Sequence, residues 1–256
     1  MTGLEEIAAR APETLALAFL VFLRVGAAMA VLPAFGERTV PARVRLVLAL
    51  AFTAVVAPAV SPALTGRLDG GALVTHLASE TVAGLGLGLM LRLMIMALQT
   101  AGMIAAQAVS LSQILGLPNV EPQPAIGYLM TTAGLALAAM AGLHLRVAEA
   151  LILSYEALPP GVIPDGALIA EWGVAGVARA FGLAFSLAAP FLAAALVYNV
   201  ALGAISKAMP QLMVALVGAP AITLAGLALA AITLPLLLPV WMRAFDAVLA
   251  DPFAAP

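Results

Sequence analysis

The sequence predicts an all-α membrane protein of about six hydrophobic helices, on the strength of three observations. Between Ala208 and Met242 the chain runs for 35 residues without a charged side chain. That is far more than the ~20 residues needed to cross a hydrocarbon core as a helix. Hydrophobic residues make up 64% of the chain and charged residues 9%, with a mean hydropathy of +1.14, values outside the range of a soluble domain. The long run is also interrupted by Pro210, Pro220, Pro235 and Pro239. Each proline removes a backbone donor and crowds the preceding turn, which would leave a lipid-facing helix with unsatisfied carbonyls. The expectation is a broken membrane element whose freed groups are received by neighbouring helices, other subunits or a watery cavity.

Composition sets further bounds. A chain of 256 residues accommodates these helices and leaves no room for an additional soluble domain of usual size. Net charge is −2 and the eleven cations are scattered, so the basic stripe required by a nucleic-acid partner is absent. The lack of cysteine removes disulfides, thiolate catalysis and Cys-based metal sites together. Glu5, Glu6 and Glu13 precede the first apolar run, which itself contains Arg24. A cleavable signal peptide needs the opposite arrangement, so the first hydrophobic segment is expected to be retained.

Apolar runs bounded by charges and turn residues give helices near 14–35, 43–60, 73–105, 125–155, 174–206 and 212–241. The first connection, Gly36-Glu37-Arg38-Thr39-Val40-Pro41, is a compact turn in which Pro41 suits the first turn of the next helix. Residues 61–71 have the composition of a surface loop. Residues 156–173 hold Pro159-Pro160-Gly161, Pro164-Asp165-Gly166, Glu171 and Trp172, with acidic but no basic groups. They read as an external loop carrying an interfacial aromatic. Alternating the loops across a bilayer puts Arg10, Arg67 and Arg243 on one side and Arg38, Arg43, Arg45 and Lys207 on the other. Such a balanced split sets no orientation. Either two segments are miscounted or the helices do not all cross the bilayer.

Arg24, Arg92, Arg146 and Arg179 lie within apolar stretches or close to their ends. Each would cost ~2.5–3.5 kcal/mol at the centre of a lipid-facing helix, so they must face protein or water. Snorkelling or an internal ion pair satisfies that requirement; so does a polar pathway or a subunit interface. Arg146 and Glu149 are three apart on one helix face and are expected to pair. A proton relay through Glu149 and His144 lacks an onward acceptor on a second acidic helix. Gly84, Gly86 and Gly88 lack the strand and ribose-binding acid of a nucleotide site. Gly84 and Gly88 instead have the small-xxx-small spacing of closely packed membrane helices, and Gly127, Gly134 and Gly142 suit packing as well. Met90, Met94, Met96 and Met103 read either as adaptable core filler or as a flexible lining for a passage that seals and reopens.

Nothing in the sequence forms a catalytic constellation. His76 and His144 are far apart, and HExxH, GxSxG and paired intramembrane aspartates are all missing. No enzyme activity, cofactor or metal is expected.

A family resemblance rests on an ordered series of short motifs: Phe22-Leu23-Arg24-Val25-Gly26, Leu32-Pro33-Ala34-Phe35-Gly36, Val40-Pro41-Ala42-Arg43-Val44-Arg45, and Gly102 with Gln107. It continues with Ser154 followed by Leu158-Pro159-Pro160-Gly161, then Ala188-Ala189-Pro190, and Lys207-Ala208-Met209-Pro210-Gln211-Leu212. In this series the chain resembles the FliR family of flagellar type III export-gate membrane proteins over nearly its whole length. The resemblance implies a gate subunit that assembles with P-type and Q-type proteins, and with other membrane proteins of the export apparatus, in the bacterial inner membrane within the flagellar basal body. Unfolded axial proteins would leave the cytoplasm through that gate. It also implies bent hairpins that stack into a helical assembly rather than all crossing the bilayer conventionally, with a P-type-like part at 1–170 fused to a Q-type-like hairpin at 174–256 in one membrane-embedded unit that meets membrane lipid.

The same resemblance implies a channel plug following the Gly102 and Gln107 element: Gln107, Ser110, Leu111, Ser112, Gln113, Ile114, Leu115, Gly116 and Leu117, within a segment reaching Val120. Family members commonly carry an aromatic residue near Gln113 and Asp-Pro near Leu117-Pro118, and a Gly-Gly-His-His-like element where this chain has Ala141-Gly142-Leu143-His144. Arg24, Pro41, Arg43, Arg45, Arg146, Glu149, Pro210 and Gln211 are expected in structural or subunit-contact roles. A virulence-type secretion counterpart would share this architecture. A small-solute transporter would instead need inverted repeats around a midplane site, and none is visible.

Overall fold

The computed structural model describes residues 2–37, 40–64, 73–109, 125–208 and 214–254. Among these the protein is all-α, with helices α1 (Thr2–Val31), α2 (Ala42–Leu64), α3 (Leu73–Val109), α4 (Ala125–Met140), α5 (Leu143–Ala157), α6 (Gly166–Ala208) and α7 (Val214–Ala250). Five helices are long and apolar enough to cross a membrane. The count is six if α4 and α5, bent by 75° at their junction, form one span.

Several boundaries depart from the sequence reading. The run at 125–155 is two helices, because Gly142 adopts a left-handed φ of +81° and breaks the α4–α5 ladder. Residues 61–64 continue α2 through Pro62. Residues 166–173, expected in a loop, form the start of α6, where the Ile169 amide bonds the Asp165 carbonyl at 3.0 Å. Glu171 and Trp172 therefore sit on a helix. The proline-rich last third is likewise continuous helix from Val214 to Ala250. Pro235 and Pro239 are four residues apart and both exposed, as are Pro58 and Pro62 in α2. One helix face thus takes both interruptions while the opposite face keeps its ladder.

Contacts divide the chain into two compact units. The first comprises Met1–Leu93, Ala139–Gly176 and Asp246–Pro256; the second comprises Met94–Ala138 and Val177–Phe245.

In the first unit α1 packs on α2, and α2 on α5. Val21, Val25, Ala28 and Leu32 recur at helical spacing and are fully buried, giving α1 an apolar stripe in line with the core. Gly84 and Gly88 let α3 lie directly on this helix. A Cβ on Gly84 would strike the Arg24 carbonyl, and one on Gly88 would sit 2.7 Å from the Ala28 carbonyl oxygen. After α1 the chain turns at Leu32–Gly36, where Ala34 is left-handed and Phe35 meets Phe52 edge-on at 5.9 Å. The last part of α6 in this unit approaches α3 at Gly176, whose missing side chain leaves room for Met90.

In the second unit the core is built around Leu98, Met130, Phe191 and Trp241. Trp241 stacks on Phe245 at 4.9 Å and donates its indole N–H to the Met94 carbonyl at 2.9 Å, so its polar end is satisfied inside an apolar core. Gly134 is held between Leu98 and Trp241. Met90 and Met94 are each buried, whereas Met96 and Met103 are exposed.

Candidate functional site

Arg24 falls on the buried stripe of α1 and is 1% exposed. An unpaired guanidinium there would be prohibitively desolvated, and the surrounding elements supply everything it needs. From α3, Glu80 presents both carboxylate oxygens: Arg24 Nε donates to Oε2 at 2.8 Å and Nη2 to Oε1 at 2.9 Å. From α5, Ser154 Oγ accepts from Nη1 at 3.0 Å and donates its own O–H to the Leu151 carbonyl at 2.6 Å. The Leu158 carbonyl, just beyond the end of α5, accepts from Nη2 at 2.8 Å. The Tyr155 ring lies under the guanidinium, 3.6 Å from its carbon to the ring centroid, and the phenol donates to Glu80 at 3.1 Å. A bidentate Arg–carboxylate pair in which every guanidinium nitrogen has an acceptor is the strong form of a buried ion pair.

A second chain of bonds extends from this pair. Leu158 terminates α5, its amide bonding the Ser154 carbonyl at 2.9 Å. Pro159 and Pro160 prevent continuation of the helix, and Gly161 then takes a φ of +78°. Its amide donates to Ser79 Oγ at 2.9 Å, and Ser79 donates to the His76 carbonyl at 3.0 Å. The His76 ring packs against Gly161 so closely that a Cβ there would lie 2.9 Å from Nε2. His76, Ser79, Glu80 and Ser154 are all buried. The arrangement fastens α1, α3, α5 and the turn after α5 together, with its donors facing acceptors and no open position for a reacting atom. It is a polar clamp. Among the described residues no group of side chains has the makings of a metal site.

Arg24 was legible in the sequence as a charge needing a partner; Glu80 was not singled out. The available signal was that Glu80 is the only acid between Asp69 and Glu121, a lone carboxylate inside an apolar run.

The other expected residues are dispersed. Arg45 stitches the turn ahead of α2, its Nη2 donating to the Glu37 carbonyl at 3.0 Å and reaching those of Gly36 and Val40 at 3.5 Å. Pro41 stands immediately before α2, its carbonyl accepting the Arg45 amide at 3.1 Å. Arg43 is exposed. Arg146 does not pair with Glu149 as expected. It pairs with Asp246 on α7, both partly exposed, while Glu149 is exposed on α5. A helix-surface pair is weak enough for a carboxylate presented by another helix to displace it. Arg92 donates to the Val31 carbonyl at 3.3 Å, and Arg179 is exposed. Gln107 is exposed near the end of α3. Ser110, Leu111, Ser112, Gln113, Ile114, Leu115, Gly116 and Leu117, with Pro210 and Gln211, lie outside the described residues.

In the second unit the helices flanking the expected plug are joined at their base. A Cβ on Gly102 of α3 would fall on the backbone of Gly127 in α4 and within 3.3 Å of the Ile126 carbonyl carbon. Only glycine permits so close a crossing.

The profile of the family described as bacterial export proteins, family 1, matches residues 15–248. The chain belongs to this family. It is 34% identical over 235 residues to the flagellar biosynthetic protein FliR of Caulobacter vibrioides, covering 88% of this chain and 90% of that protein. It is 28% identical over 237 residues to the protein of the same name from Escherichia coli K12, covering 90% and 88%. The Bacillus subtilis protein of that name is 26% identical over 206 residues, covering 78% and 79%. As a member of the bacterial export family with apolar spans, the chain is a membrane protein.

Proposed function

We propose that this chain is a non-enzymatic membrane subunit of the flagellar type III protein export gate. The carrying observation is that the family match spans nearly the whole chain and that its relatives in three organisms are named flagellar biosynthetic proteins. The reading places it in the inner membrane within the flagellar basal body, beside P-type and Q-type gate proteins and other membrane components of the apparatus. Residues 1–170 supply the P-like part and 174–256 the Q-like hairpin.

Two physical features support a gate subunit. Large apolar side chains are exposed along α6 and α7, among them Phe181, Phe185, Val197, Leu224 and Ile232, as expected of surfaces that meet lipid or other subunits. The Arg24 clamp, in contrast, is buried and its charges pair internally, which suits a role in holding the subunit in shape. The closure of the channel is assigned to Ser110–Val120. Deleting the gene should abolish export of hook and filament proteins, and re-expression should restore it. Normal filaments on the deletion strain would refute the assignment.

A further inference from the structure

The first unit contains an apolar cavity of about 360 Å³ that the export reading leaves unused. Its walls include Val82 and Gly86 from α3, Leu158 from the turn after α5, Leu168 and Trp172 from the start of α6, and Phe253 beyond α7. Gly86 lies beside two of the other lining residues: a Cβ at that position would meet Phe253 at 3.4 Å and Trp172 at 3.5 Å, ordinary contact distances. Trp172 and Phe253 form an aromatic wall next to Gly86, stacked at 5.7 Å and inclined by 25°. The indole N–H is committed to the Pro252 carbonyl at 3.1 Å, so the aromatic wall presents carbon to the cavity. The size is that of a small-ligand site.

Two features identify the occupant. First, α3 and α6 are both long and apolar enough to cross a membrane, and Trp172 lies within the first two turns of α6, where aromatic side chains mark the membrane boundary. Leu168 is 61% exposed, which opens the cavity outward among apolar residues. The apolar chain available at such a place is a lipid tail. Secondly, the charged residues that adjoin the lining residues in sequence are all acidic. Glu171 borders the cavity, and Glu156, Asp165 and Asp251 each lie within two residues of a lining residue. All four are exposed. No lysine or arginine occurs between Arg146 and Arg179, and Arg24, which reaches Leu158, is neutralised by Glu80. A lipid of net negative charge would be repelled by this rim. A primary ammonium, with three donors for carboxylates, is complementary to it.

We propose that this cavity binds the acyl chain of an ethanolamine-type phospholipid, with its ammonium group held at the rim by Glu171 and neighbouring carboxylates. The site is separate from the Arg24 clamp and does not depend on the export reading. Binding selects a headgroup rather than gaining from burial, because a tail leaving bilayer for protein exchanges one apolar environment for another.

The test uses the full chain extracted from its own membrane in mild detergent, with retained phospholipids identified by mass spectrometry. The parent chain should retain ethanolamine phospholipid in excess of its share of the membrane. Gly86→Leu, which directs a side chain into the cavity, should lose that excess. Glu171→Lys, at an exposed position, should exchange it for anionic phospholipid. A photoreactive benzophenone amino acid at Leu168, irradiated in the native membrane, should label phospholipid. Retention in bulk proportions, unchanged by Glu171→Lys, would overturn the proposal whatever the folding of Gly86→Leu. Labelling of a protein chain alone would do so too, showing that a partner's side chain fills the space.

Discussion

Arg24 and Glu80, 56 residues apart, meet through two parallel hydrogen bonds in a place where neither side chain reaches solvent. Neither charge can be removed without abandoning the other. Arg24→Leu is expected to destabilise the chain by about 3–5 kcal/mol, the usual cost of stranding one partner of a buried pair. The measurement is the fraction of chain recovered folded and monodisperse from the membrane. Arg24→Lys should fail as well, since a single ammonium does not reproduce the planar fork that spans Glu80, Ser154 and the Leu158 carbonyl. The double replacement Arg24→Leu with Glu80→Leu should recover part of the loss. A double variant no better than the single would mean that Ser154 and Leu158, rather than Glu80, dominate the clamp.

Gly161 bears two independent constraints, a left-handed backbone and the His76 ring against its Cα. Gly161→Ala should therefore cost more than the ~1–2 kcal/mol of the backbone conformation alone. Pairing it with His76→Ala should return the difference. Thermal stability in detergent would report both values, and identical losses in the presence and absence of the ring would remove His76 from the account.

Arg146 and Asp246 offer the opposite case, because each is more than a third exposed. Asp246→Asn is expected to change stability by only about 0–1 kcal/mol, with the effect shrinking as salt is raised. A loss as large as that of Arg24→Leu would mean that the pair is enclosed in the assembled protein.

Membrane character and helical content were legible because they are bulk properties of the chain, carried by every apolar run. The break at Ala141-Gly142 was not. A glycine in an apolar run fits close helix packing as well as it fits a turn, and only the backbone dihedral distinguishes them. Glu171 and Trp172 suggested a loop by their polarity, yet they begin a helix, because a helix end at a membrane boundary carries the same residues. The prolines of α7 suggested a broken element, but paired prolines on one exposed face leave the helix continuous. Arg24 announced that it needed a partner. Which partner depends on α1 lying against α3, and that adjacency comes from Gly84 and Gly88, whose spacing indicates a close approach without naming the helix approached.

The proposed closure can be tested without dismantling its support. Gly102 and Gly127 hold α3 and α4 against each other, so the segment joining these helices starts and ends on a fixed base, and shortening it by a few residues changes the closure entropy little. Leu111, Ile114, Leu115 and Leu117 provide apolar side chains suited to a hydrophobic constriction, and Gly116, Pro118 and Asn119 disfavour regular helix. Deleting Ser112–Leu117 should leave the chain assembled with its partners while ions or small solutes leak across the inner membrane, measured as loss of membrane potential in cells expressing the variant. Gly102→Leu should act differently, forcing α3 from α4 and lowering the amount of assembled protein. An assembled deletion variant as tight as the parent, with unchanged export, would take the closure away from this segment.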